Sequence, residues 1–196
     1  MGKTSLIFDL DGLLVNSEDE YFESISNLFA YYNVEYNWSI HATQLGLTRQ
    51  ESNEILINKI NKSLKNKCLN VAELDNIRVR FAPKFNNIKL MPGAKEVVES
   101  LREIGVTKLF VNDIEVMECR NKYQAVMDRM SLSPNECLVI EDSPRGIYKA
   151  IEQNLKVIWI QDQKMKEYFD KNYKDLYENK NVYILELLNE VSMYLF

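Results

Sequence analysis

The chain has 196 residues, of which 46% are hydrophobic and 27% are charged, a composition that is typical of a globular domain and excludes low-complexity and collagen-like chains. Its formal net charge of −5 argues against a nucleic-acid partner, and there is no apolar run near the roughly 20 residues of a membrane-spanning helix. Three cysteines without a paired spacing favour a reducing compartment. We therefore expect a cytoplasmic monomer without a signal peptide and without a membrane partner.

The first apolar segment ends in two aspartates. Residues 5–8 predict a short buried strand, Asp9 and Asp11 follow it, and Gly12 marks a turn. Carboxylates two residues apart at the end of a strand point the same way, and open α/β sheets bind ligands at the carboxyl ends of their strands. Taken alone, the pair is equally compatible with two solvated aspartates that cap a turn.

A second acidic pair makes the ligand-binding interpretation stronger. Glu141 and Asp142 also end an apolar strand, at residues 137–140. If the two strand ends meet in one sheet, their oxygen atoms form a site that suits a hard cation such as Mg²⁺.

The remaining sequence alternates between helical and strand patterns. In the first half, the predicted elements are a strand at 4–9, a helix from Ser17 to Asn33, a helix after Thr48 with Glu51 completing a capping box, a helix over 70–88 and a helix from Ala94 ended by Gly105. In the second half, they are a strand at 107–111, a helix around 123–130, a strand at 137–142, a helix that begins at 146–151, a strand at 156–160, an aromatic-rich helix near 165–173, a strand at 182–185 and a final helix. This alternation predicts an α/β fold with a doubly wound parallel sheet.

Two motifs carry a family resemblance. Residues 8–14, Phe-Asp-Leu-Asp-Gly-Leu-Leu, resemble the first motif of the haloacid dehalogenase-like superfamily of phosphohydrolases, and residues 139–143 with Gly146 resemble its fourth motif. The chain is most similar to the branch with a small helical cap, which includes β-phosphoglucomutase and pseudouridine-5'-phosphatase. The resemblance implies an α/β core at 1–15 and 91–196, and a helical cap at 16–90.

The resemblance also implies roles for the acidic residues. Asp9 is expected to be the nucleophile that forms an aspartyl-phosphate, and Asp11 the general acid and base. Mg²⁺ is expected to bind Asp9, the carbonyl group of Asp11, Asp142, and Glu141 either directly or through water. Gly12 is expected at the phosphate site.

Residues 45–52 resemble the substrate loop of the cap in β-phosphoglucomutase-like enzymes, where an arginine at the position of Arg49 holds a non-reacting phosphate. A cation in the first turn of a helix opposes the helix dipole, and a bound anion would remove that cost. The alternative is that Arg49 is an ordinary solvated charge.

The middle of the family pattern is altered. The family has a Ser or Thr at the tip of the second strand, where this chain has Asn112, whose amide can donate to a phosphate oxygen. The family lysine falls at Met117, so Lys122 is expected to supply the cation, with Arg120 as the alternative. The interval between Gly105 and residue 123 is about thirty residues short, which predicts a core that lacks about one strand and one helix.

We therefore expect a Mg²⁺-dependent phosphohydrolase that acts on a small phosphorylated metabolite, a sugar or nucleoside phosphate. Two alternatives stay open: a sugar phosphomutase, which Arg49 favours, and a non-catalytic binding protein, which the shortened middle favours. The single histidine, His41, is expected to lie on the surface.

Overall fold

The structure, a computed structural model, describes residues 5–64, 68–103, 107–111 and 121–194. The chain divides into two compact units. Residues 1–16 and 89–196 form the first, which we call the core unit, and residues 17–88 form the second, the helical unit.

The core unit contains a five-stranded parallel sheet. Its strands are β1 (Ser5–Asp9), β2 (Thr107–Val111), β3 (Cys137–Glu141), β4 (Lys156–Ile160) and β5 (Val182–Leu185), in the order β2-β1-β3-β4-β5. All residues of β1 and β3 are buried, because helices cover both faces of a parallel sheet and favour continuous apolar strands. The predicted α/β fold with a parallel sheet is confirmed.

Helices of the core unit lie between these strands and after the last one. They are α5 (Ala94–Glu103), α6 (Lys122–Met130), α7 (Pro144–Ile151), α8 (Lys166–Asn172), α9 (Lys174–Tyr177) and α10 (Glu190–Tyr194). Leu6 and Phe8 of β1 share an apolar cluster with Val97 of α5 and Val191 of α10. Because alternate strand residues face opposite sides of a sheet, Ile7 is directed to the other side, where it is also fully buried.

The helical unit contains α1 (Ser17–Tyr31), α2 (Trp38–Ala42), α3 (Arg49–Ser63) and α4 (Val71–Arg78). Its own apolar core is formed by Ile25, Leu28, Phe29, Tyr36, Leu56, Ile57, Ile60, Leu69 and Leu74. The predicted capping box is present: Thr48 accepts from the Glu51 amide, and the Glu51 carboxylate accepts from the Thr48 amide at 2.8 Å. The helix α2 was not predicted.

The prediction of one helix over 70–88 is wrong in its second half. The helix α4 ends at Arg78, and a single 3₁₀ turn follows at Val79–Phe81. Ala82 then has an extended backbone, with ψ of 139°. The residue before a proline disfavours the helical conformation, so Pro83 explains why the helix does not continue.

The two chain segments that lead into and out of the helical unit run side by side within the core unit. The Asn16 amide donates to the Lys89 carbonyl at 3.0 Å, and the Met91 amide donates to the Leu14 carbonyl at 2.9 Å. The Asn16 side-chain oxygen accepts from the Lys89 amide at 2.6 Å. The insertion therefore starts and ends at one place in the core unit. None of the helices among the described residues combines the length and apolar character needed to cross a membrane.

The prediction that His41 lies on the surface is wrong, since it is only 2% exposed. Its Nε2 lies 2.8 Å from a Glu18 carboxylate oxygen, and its Nδ1 lies 2.9 Å from the Tyr36 hydroxyl. The rings of Phe22 and Trp38 pack against it. Burial, followed by the charge of Glu18, raises the pKa of Tyr36, so its hydroxyl stays protonated beside Nδ1.

Replacing His41 with leucine should destabilise the helical unit. The change keeps the apolar contacts but leaves the Glu18 carboxylate and the Tyr36 hydroxyl without their shared partner, at a cost of about 1–3 kcal/mol. Urea denaturation followed by circular dichroism measures the change, with Ser39→Ala at an exposed position of α2 as the control. Equal stability of His41→Leu and the control would contradict this account.

Candidate active site

The two acidic strand ends meet in the sheet. Because β1 pairs directly with β3, Asp9 at the end of β1 lies beside Glu141 and Asp142 at the end of β3. One ligand atom of each of these three carboxylates lies within 4.8 Å of the others. All three are buried, with exposed fractions of 9%, 0% and 6%. They stand where the sheet order reverses direction, which is the usual ligand site of open α/β sheets.

Glu141 is held by hydrogen bonds to both of its carboxylate oxygens. Its Oε2 accepts from the Asp142 amide at 2.9 Å, from the Ser143 amide at 2.8 Å and from the Ser143 hydroxyl at 3.0 Å. Its Oε1 accepts from the Tyr123 hydroxyl at 2.8 Å and from Lys122 Nζ at 3.1 Å. Burial raises the pKa of Glu141, but the charge of Lys122 and these hydrogen bonds outweigh it, so the pKa is lowered and the carboxylate is ionised.

Lys122 connects the two strand ends. Its Nζ donates to Asp9 Oδ1 at 2.6 Å as well as to Glu141, and its side chain is 13% exposed. Burial lowers the pKa of this lysine. The charges of Glu141 and then of Asp9 raise the pKa by more than burial lowers it, so the pKa lies above its ordinary value. The ammonium group therefore stays charged against Asp9.

The start of α6 fixes Lys122. The Asn121 side-chain oxygen accepts from the Tyr123 amide at 3.0 Å and from the Gln124 amide at 3.4 Å, so Asn121 caps the helix. Its side-chain nitrogen donates to the Lys149 carbonyl in α7 at 2.6 Å. The cap thus attaches α6 to α7 beside the acidic cluster.

The motif after β3 shapes the space around Glu141. The Ser143 hydroxyl caps α7 by accepting from the Gly146 amide at 3.1 Å. A β-carbon on Gly146 would lie 1.6 Å from Glu141 Oε1 and 2.1 Å from its carboxyl carbon. Only glycine lets α7 lie this close to the carboxylate. Trp159 donates from its indole nitrogen to the Asp142 carbonyl at 2.9 Å, which holds the backbone of Asp142 in place.

The loop after β1 makes a tight turn. Gly12 has φ of +78°, a conformation that strongly favours glycine, and its amide donates to the Val15 carbonyl at 3.0 Å. Asp11 precedes this turn and is partly exposed. Its carboxylate is outside the cluster of three, and its expected role as acid and base stays a prediction.

Arg49 is the first residue of α3, and its side chain is 57% exposed. Its Nε donates to an Asp75 oxygen at 2.8 Å, and the same oxygen accepts from Asn53 at 2.8 Å. These two hydrogen bonds lower the pKa of Asp75. The expected contact between Arg49 and a substrate phosphate stays a prediction. The predictions for Asn112 and Arg120 concern positions outside the described residues.

Two residues of the site escaped the sequence analysis: Tyr123, which was assigned to helix packing, and Asn121. A polar residue before a helical pattern is the ordinary signal for a cap, so Asn121 could have been found. The hydrogen bond from Tyr123 to Glu141 spans 18 residues and has no local signal.

The comparisons with known proteins agree with this geometry. The sequence profile of haloacid dehalogenase-like hydrolases matches residues 6–112, more than half of the chain. A phosphorylated carbohydrates phosphatase from Thermotoga maritima is 28% identical over 182 positions, which cover 79% of this chain and 83% of that protein. A mitochondrial (DL)-glycerol-3-phosphatase from Arabidopsis thaliana is 26% identical over 206 positions, which cover 87% of this chain and 66% of that protein.

Solved structures show the same fold. A predicted phosphoglycolate phosphatase from Haemophilus somnus has a TM-score of 0.74 at 16% identity and covers 99% of this chain and 98% of its own. A β-phosphoglucomutase from Clostridium difficile has a TM-score of 0.62 at 16% identity, with 96% and 93% covered. The resemblance inferred from the two motifs is confirmed.

The Arabidopsis alignment also bears on the shortened middle. Its 206 positions outnumber the 196 residues of this chain, although it covers only part of the chain. The relative therefore has residues that this chain lacks, and their location between Gly105 and residue 123 stays a prediction.

Replacing Gly146 with alanine should disrupt the cluster. In an ordinary helix this change is stabilising by up to about 1 kcal/mol, but here the new methyl group would overlap the Glu141 carboxylate. We expect a net loss of about 1–3 kcal/mol of unfolding free energy. Denaturant titration measures it, with Glu152→Ala at the exposed end of α7 as the control. A gain in stability for Gly146→Ala would show that Glu141 is not held against this helix.

Proposed function

The chain belongs to the haloacid dehalogenase-like hydrolase family, and we propose that it is a Mg²⁺-dependent phosphatase that removes phosphate from a small phosphorylated metabolite, a sugar or nucleoside phosphate. The observation that carries the proposal is the contact of Lys122 with both Asp9 and Glu141. It provides a buried cation on the expected nucleophile. The phosphatases among the relatives support this reaction and a small phosphorylated substrate.

In the proposed reaction Asp9 attacks the phosphorus atom. The bond from phosphorus to the substrate oxygen breaks, and the Asp11 carboxyl donates its proton to the leaving oxygen. The Asp11 carboxylate then takes a proton from water as the water oxygen attacks the phosphorus of the aspartyl-phosphate. Inorganic phosphate leaves, and Asp9 and Asp11 return to their starting states.

Lys122 supplies positive charge beside this reaction. Phosphoryl transfer is catalysed mainly by positioning and by cations that face the phosphoryl oxygens. The Lys122 ammonium group already contacts Asp9 in the structure. Because it is largely shielded from solvent, its electrostatic interaction with the phosphoryl oxygens would be strong.

The acidic cluster fits a magnesium ion by its chemistry. It offers carboxylate oxygens, which hard cations prefer, and they are close enough to share one ion. Asp9, Asp142 and the Asp11 carbonyl would hold the ion, and the hydrogen bonds on both oxygens of Glu141 favour its contribution through water. Such an ion supplies further positive charge for the phosphoryl oxygens.

The remaining expected residues complete the proposal. Gly12 makes the turn beside the phosphoryl group, and Asn112 donates its side-chain amide to a phosphoryl oxygen. Arg49 holds a second anionic group of the substrate. We assign the helical unit, residues 17–88, the role of the family's cap. The intact charge cluster weakens the non-catalytic alternative, because the shortened middle has not removed the cation from Asp9.

Asp9→Asn should abolish phosphate release. The amide is a poor nucleophile, and the substitution changes little in volume. Release of phosphate from p-nitrophenyl phosphate and from a panel of sugar and nucleoside phosphates, with Mg²⁺ or with EDTA, measures the effect. Wild-type turnover should depend on Mg²⁺. Undiminished turnover by Asp9→Asn would exclude the aspartyl-phosphate route.

Lys122→Met should lower kcat by about 10²–10³, the usual loss when one preorganised charge or donor is removed from a transition state. Arg120→Met tests the other cation that the sequence analysis considered, and it should change kcat by less than about threefold. Circular dichroism confirms that both variants are folded. The reverse pattern would transfer the role to Arg120.

A further inference from the structure

The hydroxyl group of Tyr123 is part of the charge cluster, although Tyr123 has no contact that would make it a nucleophile or a metal ligand. The side chain is fully buried, and the hydroxyl donates to Glu141 Oε1 at 2.8 Å. Burial and the neighbouring carboxylates raise the pKa of Tyr123, so the hydroxyl remains a donor. Tyr123 therefore affects the site through its hydrogen bond to Glu141.

Tyr123 and Lys122 donate to the same oxygen atom. The hydrogen bond from Tyr123 to Oε1 is 2.8 Å long, whereas Lys122 Nζ lies 3.1 Å from Oε1 and 2.6 Å from Asp9. The lysine is thus closer to Asp9, although Glu141 is more deeply buried. A carboxylate oxygen that already has a strong donor attracts a second one less, because the first donor offsets part of its charge.

The start of α6 fixes where the side chains of Tyr123 and Lys122 leave the backbone. They are consecutive residues in the first turn of α6, which Asn121 caps and attaches to the Lys149 carbonyl. Gly146 leaves room for the same Glu141 oxygen, since a β-carbon there would lie 1.6 Å from Oε1. The carboxylate, the hydroxyl and the ammonium group are therefore held close together, and the end of the lysine side chain can still turn between Asp9 and Glu141.

We propose that Tyr123 is a positioning residue whose hydroxyl, by occupying Glu141 Oε1, keeps the Lys122 ammonium group against Asp9. This inference rests on the proposed function, in which charge at Asp9 assists phosphoryl transfer. Without the hydroxyl, Lys122 moves toward Glu141 and leaves Asp9. The residue acts through Lys122 and not through the substrate.

Tyr123→Phe tests this directly, because it removes one oxygen atom and keeps the ring in place. We expect kcat to fall about tenfold, the effect of one positioning hydrogen bond, and KM to change less than about twofold. Tyr148→Phe is the matched control, since it also removes a hydroxyl that donates to a carboxylate, that of Asp175, at 2.6 Å. The control should keep wild-type kinetics.

A double-mutant cycle separates positioning from a general structural role. In the Lys122→Met background, Tyr123→Phe should have little further effect on kcat, because the residue that it positions is gone. An undiminished tenfold loss in that background would overturn the proposal, since Tyr123 would then act without Lys122.

A crystal structure of Tyr123→Phe decides the point without any turnover. The distance from Lys122 Nζ to Asp9 should increase beyond that in wild-type crystals, and the distance to Glu141 Oε1 should decrease. An unmoved lysine would overturn the proposal. If the wild type releases no phosphate from any substrate, the proposed function fails, and this comparison still tests the position of Lys122.

Discussion

The burial of one ionised carboxylate is the constraint on which the site depends. Glu141 is completely buried, and an isolated buried charge is costly unless its oxygens accept hydrogen bonds or meet an opposite charge. Three separate parts of the chain meet this need. The turn after β3 supplies backbone and hydroxyl donors from Asp142 and Ser143, and the start of α6 supplies Tyr123 and Lys122. Gly146 leaves the space.

This arrangement couples the stability of the core unit to the electrostatics of the site. The ammonium group that compensates Glu141 also contacts Asp9. The two carboxylates can therefore lie near each other in a low-dielectric environment, because the lysine balances one of their two negative charges. Lys122 therefore has a structural role beside the role proposed for it in phosphoryl transfer. A change at either carboxylate alters the position of the lysine and hence the charge at the other one.

Features with local signals could be predicted from the sequence, and features that depend on distant partners could not. The apolar runs predicted β1 and β3, and the spacing of Thr48 and Glu51 predicted the start of α3. The environment of His41 depends on Glu18, 23 residues away, and the choice of Lys122 depends on Asp9, 113 residues away. The spacing of apolar residues along the chain gives no signal for contacts between residues so far apart. The weak apolar pattern over 70–88 continues past the helix, whereas Pro83 limits the backbone of the residue before it, and α4 ends at Arg78.

The order of the strands explains how a chain with a shortened middle keeps an intact acidic cluster. Within the described sheet, β2 lies at the edge and pairs only with β1, whereas β1 and β3 pair with each other in the interior. The shortening that the sequence predicts between Gly105 and residue 123 concerns the side of β2, and the pairing that brings Asp9 to Glu141 does not depend on it. At the position where the family has its lysine, this chain has Met117. Here a cation comes from the first turn of α6 instead, since Lys122 follows Asn121, the residue that caps this helix and attaches it to α7. The two buried carboxylates need a positive charge between them. A lysine can supply that charge from a position in the sequence that differs from the family's.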